Sequence, residues 1–261
     1  TYNAAQFLDK GLSTFIMEDK EMMDKLEVLI VNDGTKDNSV EVAQKFVDRY
    51  PNTFKIINKE NGGHGSAINT GVENVTGKYF KCVDADDWVY TDALERTMKI
   101  LEKEDFDALI QSFITYDISK DLWEPRDIHC DNTDRIYNLK EIVDMWEQID
   151  YGMSFHGVTY NSQFYKRLGY KLIEGVFYED QEYATIPLSY AKRIRLLDDE
   201  LYVYRLGDVN QSVSTQSQLS RLPHFEAVLF KILEHEKNLD KLPEGGRELW
   251  TRKISMYLGS L

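Results

Sequence analysis

The sequence predicts an α/β protein: a doubly wound, mainly parallel sheet flanked by helices, followed by a helical C-terminal extension. Three observations carry that expectation. Over residues 1–115, short apolar runs alternate with segments of helical period, the pattern of strands joined by crossover helices. The run 26–31 is almost unbroken in apolar side chains, as in a strand buried on both faces. From about residue 217, Leu222, Phe225, Leu229, Ile232 and Leu233 recur on one helix face.

Residues 4–17 place Phe7, Leu8, Leu12, Phe15 and Ile16 on one face of a helix, with Asn3 at the capping position. Strand 26–31 runs into Asn32-Asp33-Gly34-Thr35. Asp37-Asn38-Ser39 then opens a helix reaching Tyr50, and Pro51 stops it. Residues 54–57 form a third apolar run. Asn61-Gly62-Gly63-His64-Gly65 is a loop before a helix from about Ser66 that Gly77 closes. Strand 78–83 delivers Asp84-Ala85-Asp86-Asp87-Trp88. Thr91 caps a helix over 92–104, and 108–116 reads as another strand. Residues 120–138 are polar and irregular. Helix 140–149, strand 155–160, helix 162–168 and a helix opening within 174–183 follow. Two strands, 193–197 and 201–204, precede the long helix, which Gly245-Gly246 separates from a last one. The chain opens on Thr1-Tyr2-Asn3, without Met and directly before a helix, and so reads as starting just after a strand.

Lys and Arg number 31 and Asp and Glu 45, a net charge of −14. That disfavours a nucleic-acid partner, which needs a cationic footprint, and a phosphorylated substrate would need a local cation. Cys82 and Cys130 show neither a disulfide framework nor CxxC spacing. They read as free thiols of a reducing, cytoplasmic compartment. No apolar stretch has the length of a membrane span and no leader is visible.

Candidate chemistry sits at the strand ends, where open α/β sheets bind ligands. Asp84, Asp86 and Asp87 crowd three carboxylates into four residues, and their repulsion calls for a cation. Hard oxygens suit Mg²⁺ or Mn²⁺, which share their shell with phosphates. A solvated turn is the plain alternative. The loop Gly62 to Gly65 lacks the signatures of a P-loop or a dinucleotide fingerprint, yet its N–H groups can approach a phosphate or sugar. Asp33 is either an Asx-turn or an acceptor for a base or ribose. Glu179 and Asp180 adjoin at a helix start, as dipole partners or as a general base. His64 and His156 lie in glycine-flanked segments suited to substrate contact. Arg205 ends a strand, ready for a phosphate or a surface ion pair.

Together the stretches TYNAAQFL, VNDGTKDNS, NGGHGSAINTG, GKYFKCVDADDWV, FYEDQEY and YRLGDVNQSVS resemble family 2 inverting glycosyltransferases, in family order from residue 1 to about 215. The resemblance implies the GT-A fold over 1–215, with a nucleotide-sugar half (1–117), an acceptor half (118–215) and a helical extension (216–261). It implies that Thr1 and Tyr2 line the nucleoside pocket and that Asp33 binds the base, typically uracil. Gly62, Gly63, His64 and Asn69 would lie by diphosphate or sugar. Asp84, Ala85 and Asp86 form the DxD motif, with Asp86 and Asp84 holding Mn²⁺ or Mg²⁺ and Asp87 near the sugar; Asp180 is the base. His156, Glu179 and Arg205 are left as acceptor or phosphate contacts. Two departures stand out: Ile68 replaces an Arg common in relatives, and Asn210-Gln211-Ser212 replaces Gly-Gln-Ser. The implied partners are a nucleotide-diphosphate sugar, a UDP-sugar in the first place, and a saccharide or lipid-linked acceptor. That suits bacterial cell-surface polysaccharide synthesis at the inner face of the membrane. A sugar nucleotidyltransferase and a non-catalytic nucleotide-sugar-binding module are the competing classes.

Overall fold

The computed structural model describes residues 1–207 and 221–259. Asn210, Gln211 and Ser212, and the expected helix start near Ser217, lie outside them. Helices α1 (Ala5–Ser13) and α2 (Lys20–Lys25) lead into strand β1 (Val28–Asp33); α3 (Ser39–Arg49), β2 (Phe54–Lys59) and α4 (His64–Asn74) follow. β1 and β2 pair in parallel, from Val28 opposite Phe54 to Asp33 opposite Lys59. Both strands therefore end at one rim.

A second sheet holds β3 (Tyr79–Phe80), β4 (Trp88–Val89), β5 (Ala108–Asp117), β6 (Leu122–Arg126), β7 (Ile136–Tyr137), β8 (Val158–Asn161) and β9 (Ile194–Leu206). Its order is β3-β8-β5-β9-β4, with β6 on β5 and β7 on β9. The sheet is mixed. β5 and β9 run parallel, whereas the pairings of β3, β4, β6, β7 and β8 are antiparallel. Apolar periodicity locates strands but carries no direction, which is why this was not legible in the sequence.

Helices α5 (Thr91–Lys103), α6 (Leu139–Asp144), α7 (Trp146–Ile149), α8 (Ser162–Leu168) and α9 (Asp180–Tyr190) flank the sheets, and α10 (Leu222–Leu233) and α11 (Gly246–Gly259) pack against α9. One core gathers Leu8, Ile30, Val42, Phe54 and Val89 around β1. A larger one joins Ile110, Ile142, Val158, Tyr160 and Leu196. Phe225, Val228, Ile232, Trp250 and Ile254 close on Ile186 of α9. No helix among the described residues is long and apolar enough to cross a membrane.

Several local expectations change. The two strands at 193–204 are one, β9. Opposite it the register jumps between Gln111 and Phe113, so residues 198–201 bulge out, and Gln111 holds the bulge through its Nε2 to the Asp199 carbonyl at 2.9 Å. Thr91 does not cap α5; its hydroxyl donates to the Thr14 carbonyl at 2.7 Å and ties α5 to α1. The irregular stretch 120–138 contributes β6 and β7 as short edge strands. The helix expected within 174–183 begins only at Asp180, because Gly175 and Tyr178 take positive φ values of 72° and 74° and keep the preceding residues out of helix.

Ile110 is fully buried at the centre of the larger core. Ile110→Ala should lower unfolding free energy by about 2–5 kcal/mol in a urea titration, with secondary structure retained in the folded baseline.

Candidate active site

Asp33 ends β1 and is almost fully buried. Its Oδ1 accepts from Lys59 Nζ at 2.7 Å and from the Gly62 N–H at 2.9 Å, and its Oδ2 from the Gly63 N–H at 2.9 Å. Burial pushes this carboxyl up, but Lys59 and the two N–H groups outweigh it and hold it below the usual carboxylate range. The Gly62 and Gly63 amides thus cradle a carboxylate of their own chain. Gly62 also accepts from the Gly175 N–H at 2.8 Å. Asn69 bonds both sides of Leu172, through its Nδ2 to the carbonyl at 3.0 Å and its Oδ1 to the N–H at 2.9 Å, so its amide pins the segment before α9. Ile68 packs into the larger core. Thr1 runs beside the end of β1, its carbonyl accepting from the Asp33 N–H at 2.9 Å, and the adjacent Tyr2 is exposed.

The acidic turn follows β3. Asp87 is buried, its Oδ2 accepting from the Tyr202 hydroxyl and its Oδ1 from the Arg205 N–H at 2.7 Å. Burial, then Asp84 and Asp86, raise its carboxyl well above the ordinary value. The Tyr202 oxygen also accepts from the Asp84 N–H at 3.1 Å, so one phenol from β9 holds both ends of the turn. Asp84 and Asp86 remain partly open, with side chains 28% and 32% exposed. Arg205 Nη1 lies 3.6 Å from Asp86 Oδ2, and its guanidinium rests over Phe7. A cleft of about 100 Å³ lies on this side, lined by Phe7, Lys10, Asp86, Asp87, Trp88 and Arg205 among others. A larger hollow of about 590 Å³ opens elsewhere, between the start of α5 and the bulge of β9.

His64, the first residue of α4, joins this turn to α9. Its Nε2 lies 2.8 Å from Asp84 Oδ1 and its Nδ1 2.5 Å from Glu179 Oε1. Carboxylates only accept, so both ring nitrogens donate and the ring is an imidazolium. Desolvation opposes that charge, but Asp84 and then Glu179 raise it well above the ordinary histidine value, on a side chain that stays 41% exposed. Asp84 is held down in turn: burial opposes its ionisation and His64 overrides this. Glu179 is buried, with Oε2 unpartnered among the described residues. Asp180, next along, is pushed up to about 6 by burial and by Glu179, with His64 opposing and Asp84 adding to the rise. His156 stacks on Tyr204 at 4.0 Å, and burial lowers it to about 4, leaving a neutral ring.

The structure thus brings His64, Asp84, Glu179 and Asp180 together, with Asp86, Asp87, His156 and Arg205 close by. Asp84, Asp87 and His156 place ligand atoms within 4.8 Å of one another, a set that differs from the expected Asp84 and Asp86. Asp87 is the poorer ligand of the trio, since both its oxygens already accept hydrogen bonds. Asp84 and Asp86, both partly exposed carboxylates, are of the ligand type that suits a hard divalent cation keeping several waters. Sequence reasoning missed Tyr202, Tyr204 and Lys81. Lys81 donates to the His156 carbonyl at 2.5 Å, and burial lowers its ammonium to about 7. No motif marks such residues, because their roles come from strand pairing between distant segments.

The model of the family described as glycosyl transferase family 2 matches residues 1–169. This chain belongs to that family. Among its relatives are the uncharacterized glycosyltransferases EpsJ of Bacillus subtilis and YibD of Escherichia coli. EpsJ is 25% identical over 212 residues, spanning 78% of this chain and 58% of EpsJ. YibD is 30% identical over 197 residues, spanning 72% of this chain and 55% of YibD. The chain therefore spans little more than half the length of either. Among solved structures, S. aureus TarS 1–349 in complex with UDP-GlcNAc is similar with a TM-score of 0.63 at 17% identity, over 89% of this chain and 64% of that one. The mannosyltransferase PcManGT of Pyrobaculum calidifontis, in complex with GDP-Man and Mn²⁺, gives a TM-score of 0.61 at 16% identity, over 100% and 72%. The fold is the GT-A fold expected of family 2.

Tyr202→Phe removes the hydroxyl shared by Asp87 and the Asp84 N–H. It should cost about 1–3 kcal/mol, because Oδ2 of the buried Asp87 carboxyl loses its donor, measured as a lower midpoint in chemical denaturation.

Proposed function

We propose that this family 2 chain is a metal-assisted, inverting glycosyltransferase that moves a sugar from a nucleotide-diphosphate donor, a UDP-sugar in the first place, to a hydroxyl of a saccharide or lipid-linked acceptor. The observation that carries this is Asp180: a carboxylate pushed up to about 6, at the start of α9, within electrostatic reach of the DxD residue Asp84. Family membership adds the donor class.

Asp180 takes the proton from the acceptor hydroxyl as that oxygen attacks the anomeric carbon from the face opposite the diphosphate. The new C–O bond forms as the bond to the diphosphate oxygen breaks, and one displacement inverts the centre. Asp84 and Asp86 would hold a divalent ion, Mn²⁺ or Mg²⁺, which neutralises charge on the departing diphosphate when bound. Tyr202 and Asp87 keep the turn in shape. Arg205 offers a cation beside Asp86 for the phosphates. Asp33 is assigned to the nucleoside end, where Lys59 and the loop amides orient its carboxyl and Thr1 and Tyr2 stand beside it. Gly62, Gly63 and Asn69 shape the donor side through the loop they hold. His156 presents a neutral ring to the same site. A base ionised only above about pH 6 still works near neutrality, where its basicity is useful. The proposed setting is the cytoplasmic face of a bacterial membrane, in cell-surface polysaccharide assembly.

The test is a donor panel with Mn²⁺ that includes UDP- and GDP-sugars, because the two structural neighbours hold one of each. Release of nucleoside diphosphate is expected. Formation of nucleoside triphosphate from added pyrophosphate would show a nucleotidyltransferase instead, and binding without turnover a non-catalytic module. Asp180→Asn should lower kcat by about 10²-fold or more while calorimetric affinity for UDP and Mn²⁺ stays within a few-fold of the parent. Parent-like turnover would remove Asp180 as the base. The base must be ionised, so activity should be present above pH 6 and lost below it. The measured kcat/KM should fall about tenfold per pH unit on the acid side.

A further inference from the structure

We propose that His64 is a positioning residue that sets the base Asp180 against the donor-side turn, by joining Asp84 to Glu179 through its two ring nitrogens. This rests on the transferase reading above and goes beyond it, since the resemblance places His64 only as a contact to the donor. Both nitrogens are engaged, at 2.8 Å and 2.5 Å, and neither is left to donate to a nucleotide.

The surroundings fix the ring. His64 packs on Phe155 with ring centroids 5.6 Å apart, and Phe155 packs in turn on Tyr183 of α9 at 5.2 Å. The start of α4 sits hard against the segment leading into α9. A methyl group on Gly65 would meet the Ile173 carbonyl oxygen at 2.3 Å and Glu179 Cγ at 3.1 Å; one on Gly63 would meet the Gly175 backbone at 3.2 Å. The Gly175 N–H to Gly62 carbonyl bond closes the same seam. The glycines therefore serve the approach of two chain segments, and His64 is the side chain that crosses the seam to the acidic turn. Glu179 reaches the seam from the residue adjoining Asp180, where Tyr178 holds its positive φ of 74°. A non-glycine residue in that region is strained and persists only where neighbours enforce it. With Glu179 anchored, the first turn of α9 has little freedom, and the Asp180 carboxylate is held at one place relative to Asp84. A displacement of about 1 Å in such a base is enough to lower turnover by about 10²-fold.

The experiment is a double-mutant cycle between His64 and Asp180. It reads kcat for UDP release from the best UDP-sugar of the donor panel and calorimetric Kd for UDP with Mn²⁺. His64→Ala should lower kcat by about tenfold or more in the parent, but by less than about threefold in Asp180→Asn, because a base that is absent cannot be misplaced. The Kd for UDP should stay within about threefold. His64→Gln, whose amide can donate to one carboxylate at a time, should fall between parent and His64→Ala, which separates loss of the bridge from loss of the fold. Equal losses in both backgrounds would overturn the proposal, as would a weakened Kd with unchanged kcat, the signature of a nucleotide ligand. If Asp180→Asn itself turns over like the parent, the transferase mechanism fails first; additive losses with a strongly slowed Asp180→Asn defeat only the role of His64.

Discussion

The constraint on which the rest depends is charge crowding at one rim of the sheet. Asp33, Asp84, Asp86, Asp87, Glu179 and Asp180 arrive there from separate segments in a chain whose net charge is already −14. Each is handled differently. Lys59 and two amides neutralise Asp33, and His64 lies between Asp84 and Glu179. Asp87 is drawn inward to a phenol and a backbone amide. Asp86 has the guanidinium of Arg205 within 3.6 Å. Asp84 and Asp86 nonetheless stay partly exposed, and Asp180 adds another carboxyl within electrostatic reach of Asp84. In the proposed reaction a bound cation would offset this charge together with that of the diphosphate.

The fold serves this arrangement by bringing strand ends and helix starts to one place. β1 delivers Asp33, α4 begins with His64, β3 ends before the acidic turn, α9 begins with Asp180, and β9 supplies Tyr202 and Arg205. β9 matters most for shape. It pairs with β5 along most of its length and with β4 just beyond the turn, so Asp87 is positioned by strand pairing as well as by its own loop. The glycine loop, which in isolation suggests a phosphate cradle, here closes against the segment before α9.

Much of the fold was legible in the sequence. The apolar runs located β1, β2 and β5, and the acidic turn, Asp33 and Asp180 could be singled out there as candidates. The remainder was not, for specific physical reasons. Tyr202 acts through a partner more than a hundred positions away, and only strand pairing makes them neighbours. The single long β9 was hidden by Asp198-Asp199-Glu200, whose polarity reads as a break but belongs to a bulge. The late start of α9 depends on the backbone conformations of Gly175 and Tyr178, and a tyrosine with positive φ has no sequence signature. His64 could be singled out by its glycine neighbours, but its partners Asp84 and Glu179 come from elsewhere in the chain.

The most direct test of the charge argument is anomalous diffraction at the manganese edge from crystals of this protein grown with UDP and Mn²⁺. The account predicts one strong peak bound by carboxylate oxygens of Asp84 or Asp86 and by the diphosphate. A nucleotide bound with no manganese at the turn, or manganese bound only at the hollow beside Asp198 and Glu200, would contradict it.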